Sequence, residues 1–397
     1  MSTALAIPSP TLVSTGSDTL DTNNVLTGGA TPLNEYDVSD AIYLKNGRPA
    51  PFTWFLQSIG VGNGYDTTHR WYEDEMVPQR DTINGSVASG AATLVVDNVG
   101  RWTVRDIIWE PTSGAQGVVT AITAGTSTLT VTWIGAAVIP DGRTVIRIGN
   151  SYAEDSTLNL GPSTKEVEKT NYFQDARHGK RISDLQAANP VRVKQKRWDY
   201  QMQKAQWQHQ REIEKSLLFG QASRNVAGDT PYGVSRGLYN FLSTNTTSVG
   251  AVLTRAVWET FVTDIVAKNQ EPTQNWVAFV SHRIRIDISG FSTTYERTDT
   301  SKKQFGMAIE DYKCPDGTIV KLVTHPMFHH EGLDGLGFLI NMSPDVVKLY
   351  YHTHFQTKRY KSLLERGRSS MEEFYRTVFT LEVKGEDING GKLTNVA

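Results

Sequence analysis

The stretch RWDYQMQKAQWQHQREIEKSLLFG, residues 197–220, decides how the chain is read. At about 100° per residue, Trp198, Met202, Ala205, His209, Ile213 and Leu217 fall on one side of a helix, the stripe of an amphipathic segment that covers a core. Tyr200, Lys204, Trp207, Arg211, Glu214 and Leu218 fall on the opposite side. Long charged side chains do snorkel along wet surfaces, but a solvated back face rarely carries Trp, Tyr and Leu in register. The spacing therefore predicts a helix buried twice, once on its own core and once on a second surface. Those six residues become the candidate subunit interface. Pro190 limits how far the helix reaches backwards, so it is expected over about 191–220.

The helix sits in a basic tract, residues 176–215, with ten Lys/Arg against four Asp/Glu. The chain as a whole is balanced, with 40 Lys+Arg, 42 Asp+Glu and a formal net charge of −2. No global field recruits nucleic acid or an anionic membrane, so any nucleic-acid contact has to be local. The tract shows no aromatic platform and no reading motif, which leaves sequence-blind charge neutralisation or salt bridges between subunits.

At 397 residues the chain exceeds a single core and is expected to form two or three packing units. Its one cysteine, Cys314, excludes an intrachain disulfide and a cysteine-built metal centre, which suits a reducing cytosol. The start, MSTALAIPSPTLVSTG, has neither the basic end nor the apolar core of a signal peptide. No run approaches the ~20 apolar residues of a membrane span. The sequons at Asn84, Asn245 and Asn341 read as chance matches.

Working outward, residues 1 to about 40 are rich in Ser, Thr, Gly and Asn and cannot bury enough surface to fold alone, so they read as an arm held by another subunit. Over 83–148 the pattern changes to the short β-type runs ATLVV, RDIIWE, GVVTAIT, STLTVTW and RTVIRI. In the fourth, Leu129, Val131 and Trp133 alternate with threonines, the period of a strand wet on one face. Five such runs predict a small barrel or two-layer β module. Beyond the long helix, TRAVWETFVTDIVAKN predicts an amphipathic helix capped by Thr254, and NWVAFVS a buried strand ending at Ser281, the cap of a helix carrying Ile284, Ile288 and Phe291. With the runs TIVKLVTHPMF and LGFLINM read as strands, and DVVKLYYHTHFQTK and RTVFTLEVKG as strand-like, the fold class is α+β.

Candidate chemistry is thin. GVSRG, 233–237, matches the nucleophile-elbow pattern around Ser235, but no β run precedes it and a structural turn is the simpler reading. His325, His329, His330 and Glu331 resemble a metal cluster, yet Pro326 keeps His325 and His329 from sharing the middle of a helix. His352 and His354 would share a strand face. Histidines in ordinary hydrogen bonds are the favoured reading, and no metal, cofactor or catalytic residue is assigned. GVGNG, 60–64, lacks the strand and helix a dinucleotide fingerprint needs, and EDE, 73–75, reads as a solvated charge run.

The order of parts carries more. An arm, a β-rich excursion, a two-faced helix ending REIEKSLLFG, then RGLYNFL, and a closing SPDVVKLYYHTHFQTKR and RTVFTLEV resembles the major capsid proteins of tailed bacteriophages. More narrowly, it resembles the branch of the Hong Kong 97 capsid fold whose extended loop carries an inserted β domain. The resemblance implies an N-terminal arm over 1–59 and an extended loop over 60–185, with the inserted domain at about 83–148. It implies a peripheral domain from 186–272 and 346–397, built on a spine helix, and an axial domain over 273–345. It further implies hexamers and pentamers of an icosahedral head around double-stranded DNA, held on the inner face without sequence specificity. Scaffold, portal and decoration proteins would be further partners, and assembly in the bacterial cytoplasm would lead to the virion. A scaffolding region and a covalent cross-link known in some relatives have no counterpart here that can be named. The alternatives are an encapsulin-like compartment shell and, in another class, a serine hydrolase using Ser235.

Overall fold

The computed structural model describes residues 50–157, 159–185, 197–226, 230–269, 274–291, 303–304, 307–360 and 370–397. The arm up to residue 49 and the expected helix start at 191–196 lie outside the described residues. The chain divides into two compact units, one of 1–49, 176–212 and 357–376 and the other of 50–175, 213–356 and 377–397.

The larger unit is organised on the strand Trp276–Val280, WVAFV, all five residues of which are buried. An unbroken apolar strand needs cover on both faces. One face carries Trp276, Ala278 and Val280, packed with Trp258, Phe261, Val262 and Ile265 from the helix Arg255–Val266 and Ile284 and Ile288 from the helix His282–Ser289. Both helices begin as the sequence predicts: Thr254 Oγ1 accepts from Val257 N–H (3.5 Å) and Ser281 Oγ from Ile284 N–H (3.2 Å). The other face carries Phe279, met edge-on by Phe52 and Phe55 of the helix Pro51–Ile59 at 5.3 and 5.6 Å. Each large apolar side chain buried this way contributes roughly 1.5–3 kcal/mol.

Trp276–Val280 pairs parallel with Ile319–Thr324 and antiparallel with Gly337–Asn341. The seven-stranded sheet continues outward to Gly390–Thr394 and Thr246–Ser248 on one side and to Met307–Lys313 and Lys303–Gln304 on the other. The run TIVKLVTHPMF is not one strand. It ends at Thr324, and Pro326–His330 is a short helix, because Pro326 has no N–H to give a ladder and fits the first helical turn.

Five of the six strands between 80 and 150 are those expected: Thr93–Val95, Asp106–Trp109, Gln116–Thr123, Thr128–Gly135 and Thr144–Asn150. The sixth, Arg80–Thr82, opens the module and pairs with Thr144–Asn150. The sheet closes on itself: Ile83 bridges Val96, Asn84 N–H donates to Val95 O (3.0 Å), and Asp97 N–H to Thr82 O (3.1 Å). The result is a small barrel filled by Ile83, Leu94, Val96, Ile108, Val119, Leu129, Val131 and Val145 among others. It stands between the arms of a ribbon, Thr68–Glu73 paired antiparallel with Val167–Tyr172. Neither arm alternates polar with apolar residues, so the sequence pattern does not reveal the ribbon.

In the larger unit Val61–Gly64, the last four residues of the GVGNG run, lies parallel to Val347–His352, and that strand pairs with the far end of Ser370–Val383. In the smaller unit the first half of Ser370–Val383 is flanked by Lys358–Tyr360 and by Gln174–Ser183. The helix stripe Met202 and Ala205, with Trp198 beside it, packs on Tyr375.

Candidate assembly surface

The long helix runs over Arg197–Phe219. Its first stripe is buried over Met202, Ala205, His209, Ile213 and Leu217, none more than 5 % exposed, while Trp198 at its start is only half-buried. Its second stripe changes character along its length. Tyr200, Trp207 and Arg211 are partly buried and Lys204 is exposed, whereas Glu214 and Leu218 are fully buried within the subunit. Glu214 and Leu218 are therefore not free to meet another chain. The candidate interface shrinks to Tyr200, Lys204, Trp207 and Arg211.

Glu214 is occupied by the start of the helix Pro51–Ile59. That helix has Ala50 at its N-cap, which offers no side-chain acceptor, so the first amides need one from elsewhere. Phe52 N–H donates to Glu214 Oε1 and Thr53 N–H to Oε2, both at 2.8 Å, and the Thr53 hydroxyl donates to Oε2 as well. His325 Nε2 lies 2.9 Å from Oε1, and its side chain, like that of Glu214, is wholly buried. A carboxylate only accepts, so Nε2 carries the hydrogen. Nδ1 is buried without a partner among the described residues. One carboxylate thus serves four donors and caps a helix distant in sequence, and the favourable sign of its charge at a helix N-terminus adds to the effect. The sequence reading missed this, since nothing in it pairs Glu214 with a helix that starts at Pro51.

The GVSRG turn closes the other end of the long helix. Gly237 N–H donates to Gly220 O (2.7 Å), and Asn240 Nδ2 donates to Phe219 O (3.1 Å) and Gly220 O (2.7 Å), satisfying carbonyls the helix leaves open. A Cβ at Gly237 would stand 2.6–2.7 Å from the backbone of Ser216, Phe219 and Gly220, so only glycine fits. Ser235 is fully buried; Asn171 Nδ2 donates to its Oγ (3.2 Å), Thr380 Oγ1 lies 3.3 Å away, and Leu381 N–H is at 3.4 Å. None of these groups can act as a general base, and the hydroxyl does not reach solvent. The arrangement holds a turn.

The histidines separate in the same way. His325 is bound to Glu214; His329 Nδ1 lies 2.8 Å from Asp334; the side chain of His330 is outside the described residues. His354 is beyond the strand that ends at His352, with the two rings 5.9 Å apart. Among the described residues no group of three or more His, Cys, Asp or Glu could hold a metal ion. Glu73, taken as part of a solvated run, accepts from Trp71 Nε1 (2.8 Å) and Gly385 N–H (3.1 Å).

The ribbon's root is a second feature the sequence did not reveal. His69 and Asn171 face each other across the ribbon. His69 Nε2 bonds Glu382, while Asn171 Nδ2 donates to Leu381 O (2.6 Å) and Asn171 Oδ1 accepts from Arg236 N–H (2.7 Å). Burial alone would raise the Glu382 carboxyl, but His69 and Lys384 hold it below the ordinary glutamate value. Both ribbon arms are thus pinned to neighbouring residues of one strand.

Residues 22–397 match the family model described as SU10 major capsid protein. No curated protein sequence matches. Among solved structures, the chain is similar to the capsid asymmetric unit of cyanophage A-1(L), at 11 % identity and TM-score 0.52, covering 92 % of this chain and 98 % of that one. It is also similar to the capsid of a native GTA particle (8 % identity, TM-score 0.49, 94 % and 99 % covered) and to the capsid of Myoviridae phage XM1 (10 %, 0.47, 90 % and 96 %). At these identities the likeness concerns the fold alone.

Proposed function

The chain belongs to the SU10 major capsid protein family, and on that premise we propose that its copies assemble as hexamers and pentamers into an icosahedral head around double-stranded DNA. As a major capsid protein it is a structural component of a phage head. The observation that carries the reading is the family match over nearly the whole chain, 22–397, joined to a mixed α+β fold similar to a cyanophage capsid subunit.

The finer reading is the Hong Kong 97 arrangement. The arm is 1–59 and the extended loop 60–185, with the barrel as its inserted domain. The helix Arg197–Phe219 is the spine of a peripheral domain from 186–272 and 346–397, and 273–345 is the axial domain. Because Thr246–Ser248 and Gly390–Thr394 share a sheet with Trp276–Val280, those two strands go with the axial part. Tyr200, Lys204, Trp207 and Arg211 meet a neighbouring subunit. Scaffold, portal and decoration proteins are further partners, and assembly takes place in the host cytoplasm. Among the described residues no helix is long and apolar enough to cross a membrane.

Sedimentation and negative-stain microscopy of the full chain, expressed alone and with its phage partners, test this. Rings or closed shells are the expected outcome, and a compact monomer under every condition counts against it. Nucleic acid rather than a cargo protein inside the particles separates a genome container from an encapsulin-like compartment.

A further inference from the structure

At the end of the barrel where Asp106–Trp109 begins and Thr144–Asn150 finishes lies a cavity of about 450 Å³ for which shell formation has no use. Its size falls within the ~300–1,000 Å³ of small-ligand sites, and barrel mouths often hold them. Asp106 is its floor. The side chain is buried, and Oδ2 accepts from Thr103 N–H (2.7 Å) and Arg147 Nη1 (3.3 Å). Asp106 Oδ1 and Arg147 Nη2 make no hydrogen bond among the described residues, which leaves one edge of each planar group open. Thr103 Oγ1, also in the lining, is buried and has no partner among the described residues.

The opposite wall is the segment that follows Asn150, and it is tied down. Ser151 N–H donates to Arg105 O (3.0 Å), Asn159 Nδ2 to Val104 O (3.3 Å) and the Tyr152 hydroxyl to Asn159 O (3.3 Å). These bonds fold the segment back over the turn Thr103–Asp106, so the cavity is shaped by the fold. The turn itself is strained. Arg105 has φ 83°, in the left-handed region that a residue with a Cβ adopts at a cost, and it is held there by its N–H donating to Val119 O (2.8 Å) and its carbonyl accepting from Ser151. Strain of this kind collects at binding sites, where the surrounding structure maintains it.

Asp106 and Arg147 are the charged groups of the lining, and they cancel. A phosphate would meet the carboxylate and a metal ion the guanidinium, so the cavity suits an uncharged ligand. Its polar groups are planar: a carboxylate, a guanidinium and the amides of Asn150 and Asn159. Such groups hold pairs of adjacent hydroxyls, one at each of their two atoms. The Tyr152 ring and the half-exposed Ile148 add apolar surface at the same cavity. A molecule with hydroxyls along its edge and C–H groups on its face matches both parts. We propose that this cavity binds a neutral hexopyranose, with Asp106, Arg147 and Asn150 on its hydroxyls and Tyr152 against its C–H face. The site stands on the barrel's own residues and does not depend on how subunits assemble.

The test is saturation-transfer-difference NMR of the purified full chain, titrated with the methyl glycosides of glucose, galactose, mannose, rhamnose and N-acetylglucosamine. Transfer to the ring protons of at least one glycoside is the expected result. Asn150→Ala, at an exposed position whose side chain makes no hydrogen bond among the described residues, should weaken that glycoside about five-fold, the worth of one hydrogen bond. Its thermal melt should not move. Arg147→Lys keeps a cation beside Asp106 but loses the planar fork, and should weaken binding at least as much. Thr132→Ala, an exposed barrel residue outside the lining, is the control and should bind as the wild type does. If Arg147→Lys does not fold, Asn150→Ala decides the matter. No transfer to any glycoside overturns the proposal, as does binding that Asn150→Ala leaves unchanged. Displacement of the glycoside by an equal concentration of free glycine also overturns it, since the open carboxylate and guanidinium edges would then serve a zwitterion. Dextran and mannan, run in parallel, separate the sources: transfer to a polymer as well marks a unit of a polysaccharide, and transfer to glycosides alone marks a free sugar.

Discussion

Glu214 shows what a helical wheel can and cannot tell. The angle placed it correctly, opposite the core stripe, but an angle does not say which surface arrives there. What arrives is the N-terminus of the helix Pro51–Ile59, with His325 from a third segment. Removing this acceptor strands two buried amides, a hydroxyl and an imidazole, so Glu214→Ala should lower subunit stability by ~3–5 kcal/mol. Glu214→Gln keeps one oxygen and should cost less. Urea unfolding of both variants checks the order; an alanine cost below about 1 kcal/mol would contradict the four-donor account, since each charged hydrogen bond is worth that much or more. A second residue makes a pH prediction. Burial, with His178 beside it, pushes His209 down to about 4 from its ordinary 6.5. The unfolded chain takes up that proton first, so stability is fully present above pH 6.5 and is lost as the pH falls towards 4. His209→Gln should remove that part of the acid sensitivity, and an unchanged stability profile between those pH values would count against it.

Among the elements, those with a strong period were legible: the helices after Thr254 and Ser281, the five alternating strands and the long helix. The ribbon and the strand Gln174–Ser183 were not, because they are mostly polar and charged and no apolar residue recurs at every second position. The barrel was legible as strands that left a barrel and a two-layer module as alternatives; what decides for closure is Arg80–Thr82 and the bridge at Ile83. Closure removes the free edges that make isolated sheets associate, and it predicts that residues 79–151 alone should give β-type circular dichroism and a cooperative melt. A disordered fragment would mean that the strands depend on the rest of the subunit. Its acid limit is also set. Burial would raise the Glu110 carboxyl, but hydrogen bonds from Ser113 and Thr112 outweigh it and hold the group below the usual glutamate value. That contribution is present above the ordinary glutamate range and fades as pH falls below it. On the long helix, Ile213→Ala should cost the subunit ~2–5 kcal/mol. Trp207→Ala should cost the free subunit clearly less than Ile213→Ala does and reduce particle yield, at ~2 kcal/mol per interface contact. Equal destabilisation of the free subunit by both would show the second stripe to be ordinary core.

For the molecule as a whole, no single motif was diagnostic, and the tempting one, GVSRG, caps a helix. The succession of parts carried the resemblance, because a chain can replace nearly every side chain while keeping the order in which its elements are laid down. Polar pins such as Glu214 with His325 stayed hidden for the opposite reason: each joins residues far apart in sequence and leaves no periodic trace. A repeated subunit also magnifies small losses, so particle yield should respond to Trp207→Ala far more steeply than any single-chain measurement. The ribbon has a further consequence. Its last paired residues are Glu73 and Val167, so the chain departs for the barrel and comes back at neighbouring points. Everything between them can be cut out and the gap closed by a tight hairpin turn, or replaced by another domain whose ends lie close together. In a gene, that makes this locus a splice point, open to gain, loss or exchange of whole domains by recombination while the rest of the open reading frame is left as it was.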